Sequence, residues 1–194
     1  MNAWFYKEPC IFSAAAVVWA AWCLIEQEKG TEAMDMRVKK APYQVRWAKK
    51  EEWKPAMEMI WRTFLKFEGN DYTEEGIRNF FDFITDDGLY QSFLKGEYQL
   101  MVAVDADRVI GAGSVRNRNH LSLLFVDENY HHRGVGRALL EQLWNYLRTE
   151  EGEHYMSVKA SPYAVDFYRR LGFQAVTEEQ EYSGIRVTSM EKFL

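Results

Sequence analysis

The chain predicts a mixed α/β domain behind an apolar N-terminal helix, and three observations carry that expectation. From Tyr43 onward the apolar residues switch between helical and strand periods: strand, two helices, three strands, then helix, strand, helix and two strands. Residues 11–25 (IFSAAAVVWAAWCLI) are instead apolar on every side, with Ser13 the only polar side chain among them. Between the two, Glu26 to Ala41 is polar, mixed in charge, and reads as a linker. The chain therefore divides into 1–40, helix and linker, and 41–194, the domain.

Each element has its own signal. Tyr43–Ala48 alternates as a short strand, while Glu51–Phe67 sets Trp53, Met57, Ile60, Trp61, Phe64 and Phe67 at helical spacing. Thr73 followed by Glu74 and Glu75 starts a second helix, expected to bury Ile77, Phe80, Phe81 and Ile84 and to end near Asp87-Gly88. Tyr98–Val104, Val109–Val115 and Leu121–Val126 are strand-like, with Asp105-Ala106-Asp107 turning between the first two. A third helix from about Gly136 to Thr149 carries Leu139, Leu140, Leu143 and Leu147 on one stripe. Tyr155–Ala160 reads as a strand and Tyr163–Leu171 as a helix. Strands follow near Phe173–Thr177 and Arg186–Glu191.

With 194 residues the chain suits one sizeable domain and an extension. Seven Trp, eleven Tyr and twelve Phe are enough to fill a large core or line a ligand pocket. A net charge of −5 argues against a nucleic-acid partner, which calls for a surplus of Lys and Arg. Cys10 and Cys23 would project from different faces of one helix, so no disulfide is expected, and a cytoplasmic location is. Pro9 and Gly30 sit where that helix would start and stop. Its uncharged stretch falls short of the roughly 20 residues that span a bilayer. Lys7 followed at once by Glu8, with no clean cleavage site, fits a signal peptide poorly. The helix is expected to pack in a soluble homodimer, Ala16 and Ala20 letting a second backbone approach; a membrane anchor beside Trp4, Phe5 and Tyr6 is the rival reading.

The strongest chemical signal is Tyr130-His-His-Arg-Gly134-Val-Gly136-Arg137-Ala-Leu-Leu, which follows the strand ending at Val126 and opens an amphipathic helix. Glycines let the backbone approach a ligand closely, and the helix places the positive end of its dipole at the same point. That is a site for a pyrophosphate, with Arg133 and Arg137 adding charge. Downstream lies Ala160-Ser-Pro-Tyr163-Ala164-Val-Asp-Phe167-Tyr168-Arg-Arg-Leu-Gly172-Phe173.

Together the two segments resemble the GNAT superfamily of acetyl-CoA-dependent N-acetyltransferases. Its loop motif is Gln/Arg-x-x-Gly-x-Gly/Ala, and its later helix reads Asn-x-x-Ala-x-x-Phe-Tyr-x-x-x-Gly-Phe. Here His131 takes the first loop position and Gly134 and Gly136 the glycines. Ser161 stands where the family often has Asn; Ala164, Phe167, Tyr168, Gly172 and Phe173 match. The likeness runs from about Tyr43 to Leu194. It implies a mostly antiparallel twisted sheet flanked by helices. It also implies an acetyl-CoA site: Leu124, Phe125 and Val126 beside the pantetheine arm at a splay of two parallel strands, with His132, Arg133, Gly134, Val135, Gly136, Arg137 and Ala138 around the pyrophosphate.

By the same resemblance Tyr168 lies near the thioester sulfur as a general acid. Many members carry a Glu on the strand before the loop, and Leu121-Ser-Leu-Leu-Phe-Val126 has none. His120 and Ser122 are the polar residues there, and His120 is the candidate base. Glu68 and Asp71 are candidates to bind a cationic acceptor. The acceptor pocket is expected between the first two helices and the strand carrying His120, lined by some of Trp61, Phe64, Phe80, Phe81 and Tyr90. His131, His132 and His154 form no credible metal set with a cysteine, so no metal is expected. The implied activity is direct transfer of an acetyl group to a primary amine, with a non-catalytic acyl-CoA-binding module of the same fold as the alternative.

Overall fold

A computed structural model describes residues 43–182 and 184–194. The expected N-terminal helix, its linker and both cysteines lie outside the described residues, and with them the reading of that helix as a dimer contact or anchor.

The elements run β1 (Gln44–Trp47), α1 (Trp53–Phe67), α2 (Glu74–Thr85), α3 (Asp87–Leu94), β2 (Gln99–Asp105), β3 (Arg108–Arg116), β4 (His120–Val126), α4 (Val135–Thr149), β5 (Tyr155–Ala160), α5 (Val165–Arg170), β6 (Gln174–Ala175), β7 (Gln180–Tyr182) and β8 (Ile185–Phe193). The strands lie in the order β1-β2-β3-β4-β5-β8-β6, with β7 against β8. Every pairing is antiparallel except β4 with β5. The mixed, mostly antiparallel sheet is therefore as the sequence implied.

Both faces of the sheet are covered, which is why β2 and β3 are nearly continuous apolar runs. Leu100, Val102 and Val104 join Trp53, Ala56, Met57, Met59 and Ile60 of α1 in one core. Met101 and Ala103, pointing the other way as strand alternation requires, join Leu139, Leu140, Leu143 and Leu147 of α4 in a second.

Two elements escape the sequence reading. Asp86 ends α2 and caps α3 in one step, its Oδ1 accepting the Leu89 amide at 2.6 Å. The strand β7 pairs across a tight hairpin with β8. Phe81, expected in the core, is 43% exposed and packs edge-on against Trp61. The buried positions of α2 are Gly76 and Ile84. Thr73 caps α2 as expected, its hydroxyl accepting the Gly76 amide at 3.1 Å. Gly76 lies so close to the Gly184 carbonyl that a Cβ there would approach within 2.3 Å, which seats α2 directly on the β7–β8 hairpin. Among the described residues no helix is long and apolar enough to cross a membrane, and no cluster of His, Cys, Asp or Glu could hold a metal.

Candidate active site

The parallel strands β4 and β5 pair only at His120 with Ser157 and Leu121 with Val158. Beyond that point no ladder joins them, so Leu123 to Val126 and Lys159 to Ala160 flank a gap. A cavity of about 250 Å³ opens there, walled by α1, α2, β4, β5 and α5. It brings together Tyr168, His120, Leu124, Phe125, Ser161, Glu68 and Phe80 from the sequence-derived set, and adds Tyr72, Phe83 and Arg116. Of the aromatics expected around an acceptor, Phe64 and Phe80 line this cavity. Trp61, Phe81 and Tyr90 line a different groove.

Glu68 follows the last turn of α1. Phe64, Glu68 and Tyr72 are four residues apart in turn, and Tyr72 stacks on Phe64 with ring centres at 5.3 Å. Tyr72 Oη donates to Glu68 Oε2 at 3.1 Å. Glu68 keeps some accessible surface, as a group facing a cavity does, yet protein packs closely around its carboxyl. Desolvation is accordingly the largest influence on it and raises its pKa; Asp71 adds repulsion, while Tyr72 and Ser161 oppose both.

Tyr168 is 5% exposed and wedged edge-on between Phe167 and Phe173. Burial, then the nearby Glu68 charge, raises its pKa, so the phenol stays protonated. Ser161 closes β5 and starts α5, its carbonyl accepting the Ala164 and Val165 amides. Its hydroxyl is buried without a hydrogen-bond partner among the described residues, as is that of Ser122. Ser161 nonetheless lowers the pKa of Glu68 and of Tyr72, against the burial that raises both.

His120 opens β4, and its Nδ1 meets Ser157 Oγ at 3.0 Å. Burial, then the Arg116 and Lys159 charges, push its pKa down to about 4. The ring is neutral at pH 7 and a weak base.

The glycine loop lies at the far end of β4. His131 ties it back, Nε2 meeting the Val126 carbonyl at 2.8 Å, and its ring packs on Phe67. Gly134 caps α4 at φ +81°, a left-handed conformation that turns the chain into the helix. His132 also adopts positive φ, at 58°. The Val135, Gly136 and Arg137 amides open α4 with no carbonyl of their own helix to bind. Ala138, expected beside them, differs: its amide donates to the Gly134 carbonyl at 2.9 Å and closes the first turn. Arg133 lies over the Tyr130 ring and Arg137 pairs with Glu141 at 2.8 Å, both side chains at the loop surface.

An anion-ready helix end, a split pair of parallel strands and a buried phenol lining the cavity between them mark an α/β domain with a candidate ligand site. A family model, the acetyltransferase (GNAT) domain, matches residues 68–194, and the chain belongs to that family. The curated uncharacterized N-acetyltransferase YafP of Escherichia coli (strain K12) is 35% identical over 82 residues, 42% of this chain and 50% of that protein. The match thus spans half the length of that relative. Among solved structures, a GCN5-related N-acetyltransferase from Rhodopseudomonas palustris superposes at a TM-score of 0.67 with 22% identity, over 78% of this chain and 95% of that one. The PaiA N-acetyltransferase of Thermoplasma acidophilum, solved in complex with coenzyme A, superposes at 0.65 with 18% identity, over 78% and 99%. These two likenesses are likenesses of fold.

Proposed function

We propose that the protein transfers an acetyl group from acetyl-CoA to a primary amine, the amine attacking directly while both substrates are bound. The observation that carries this reading is the pairing of Glu68 and Tyr168 in one cavity, at the gap between β4 and β5. The free amides of Val135, Gly136 and Arg137 suit the pyrophosphate of a coenzyme A. The gap, edged by Leu124 and Phe125, suits its pantetheine arm. The T. acidophilum neighbour with bound coenzyme A supports the same assignment.

Acetyl-CoA supplies an acetyl group activated as a thioester. Glu68, its carboxyl raised by burial, accepts one proton from the acceptor ammonium and frees the nitrogen lone pair. Tyr168 offers its phenol hydrogen to the sulfur as the carbon–sulfur bond breaks and the carbon–nitrogen bond forms. The second proton leaving the nitrogen restores the phenol, and the proton on Glu68 passes to solvent. His120, neutral and weakly basic, is assigned to positioning the β4–β5 junction through Ser157 and not to this proton.

The test is acetyl-CoA with a panel of primary amines, reading thiol release and the mass of the product together. Release coupled to N-acetylation supports transfer. Tight coenzyme A binding with no acetylated product from any amine would instead make the chain a binding module of the same fold.

A further inference from the structure

The cavity at the β4–β5 gap is walled largely by rings: Phe64, Tyr72, Phe80, Phe83 and Phe125 all line it. Four of them form one connected series. Tyr72 stacks on Phe64 at 5.3 Å, Phe80 stacks on the same ring at 4.0 Å, and Phe125 tilts against Phe80 at 5.8 Å. Phe64 is 1% exposed and backs the others, whereas Tyr72, Phe80, Phe83 and Phe125 keep part of their surface accessible. Such surface is gained by a ligand that covers it, and most by one that brings a ring of its own.

The series begins at a carboxylate, because Tyr72 donates to Glu68 Oε2 at 3.1 Å. Among the described residues Glu68 is the only acid lining the cavity. An ammonium held there has the Tyr72 ring as its neighbour. Elsewhere in the lining the charge is positive. Arg116 holds its guanidinium over Phe83 at 5.5 Å, and after burial it is Arg116 and then Lys159 that lower the His120 pKa. A second ammonium on the ligand would meet that field. Size narrows the choice further. A cavity of roughly 150 Å³ takes one benzene ring, so about 250 Å³ holds a phenyl group with its methylenes, nitrogen and acetyl, but not a fused pair of rings besides.

We infer that the acceptor is a primary amine carrying a single aromatic ring one or two methylenes from its nitrogen, the ammonium at Glu68 and the ring against Phe80, Phe83 and Phe125. This rests on the transferase reading above and names the substrate class of the same site. A short alkylamine leaves the ring walls uncovered, and a polar chain gives up its hydration against them. The same walls thus favour one class of amine and turn others away.

The experiment compares benzylamine and 2-phenylethylamine with butylamine, 1,4-diaminobutane, 4-aminobutyrate and 1-naphthylmethylamine, using the full chain and acetyl-CoA. Acetylated product is read by mass. Binding of 2-phenylethylamine and butylamine to the chain saturated with coenzyme A is read by calorimetry. Expected is a more than tenfold advantage in kcat/KM for the single-ring amines, with tighter binding in parallel, since each buried methylene is worth roughly fourfold. Phe80→Ala, or Phe83→Ala should the first misfold, is expected to move the preference toward 1-naphthylmethylamine. Butylamine or either polar amine matching the single-ring amines overturns this inference and leaves the transferase standing. So does a parent that prefers the naphthyl amine, or a size preference that both ring deletions leave intact in folded protein. Coenzyme A binding with no product from any amine overturns the transferase reading and this one with it.

Discussion

Replacing Glu68 by Gln separates catalysis from stability, because the two should move in opposite directions. The carboxyl is surrounded by protein, and burial raises its pKa above the unfolded value of about 4.3. Between those two pKa values the native state binds more protons than the unfolded one, so native stability falls as pH rises through that window. Above the folded pKa the whole penalty is present, about 1.4 kcal/mol for each tenfold by which burial weakens the acid. Gln removes the charge and keeps an oxygen to accept the Tyr72 hydroxyl, which now bonds Glu68 at 3.1 Å. E68Q should therefore melt higher than the parent at pH 8 and nearly alike at pH 4. For a chain of this size each kcal/mol gained corresponds to about 2–4 °C. Turnover at pH 8 should fall by about 10² to 10⁴-fold, the usual worth of a general base. The parent's kcat/KM should climb with pH along a limb displaced above the ordinary carboxylate range, and E68Q should lack it. Thermal melts at both pH values, beside a pH–rate profile, check all of this. A variant that loses stability and activity together at pH 8 would make Glu68 a packing residue and refute the assignment.

Tyr168→Phe should lower kcat by roughly 10² to 10⁴-fold while coenzyme A affinity, read by calorimetry, stays nearly constant, because the phenol matters as the sulfur leaves. Equal losses in both would leave it as packing against Phe167 and Phe173. Gly134→Val should abolish coenzyme A binding: its φ of +81° is hostile to a β-branched residue, and the nearest atom to a Cβ there, Tyr43 Oη, stands 3.8 Å off, so the strain is in the backbone. Retained affinity in a folded variant would remove the loop from the site. His120→Gln should keep the ascending pH limb, since a ring held at about 4 is already neutral across it; loss of the limb would return the base to His120.

Most of the domain was legible because its signals are local. The α4 stripe of Leu139, Leu140, Leu143 and Leu147 is wholly buried, and the Thr73 cap holds α2 as its residue type foretold. The lost elements were lost for physical reasons. Asp86-Asp87-Gly88 has the composition of a turn, but Asp86 uses its carboxylate to start a second helix. At β7 three residues give too short a pattern to assign. Phe81 lies on the apolar stripe of α2 but on its outer flank, where Trp61 is its partner. In the site, Tyr168, Ser161 and His120 were readable as residues, and Glu68 was readable as a candidate to bind a cationic acceptor but not as a base. Its spacing from Phe64 and Tyr72 was the available clue, and periodicity alone does not tell which side of a helix end faces a cavity.

What the site residues share is that none is favourable on its own. Two buried hydroxyls, on Ser122 and Ser161, have no hydrogen-bond partner of good geometry among the described residues. A desolvated carboxyl and a desolvated imidazole each resist the charge they would carry in water. His132 holds a positive φ that L residues avoid. The two cores that sandwich β2 and β3 are almost entirely apolar, apart from the buried phenols of Tyr168 and Tyr98, of which Tyr98 hydrogen-bonds Ser114 at 2.6 Å. Stability is thus generated on both faces of the sheet, while the desolvated Glu68 carboxyl and His120 imidazole face the cavity at the β4–β5 gap. Such segregation is expected where a fold must present unsatisfied groups to a ligand, because a cavity that satisfied its own donors and acceptors would have nothing left to bind with. Glu68, a sequence candidate for binding a cationic acceptor, fits the proposed proton transfer on the same ground: burial raises its pKa, and its charge adds to the burial that raises that of Tyr168.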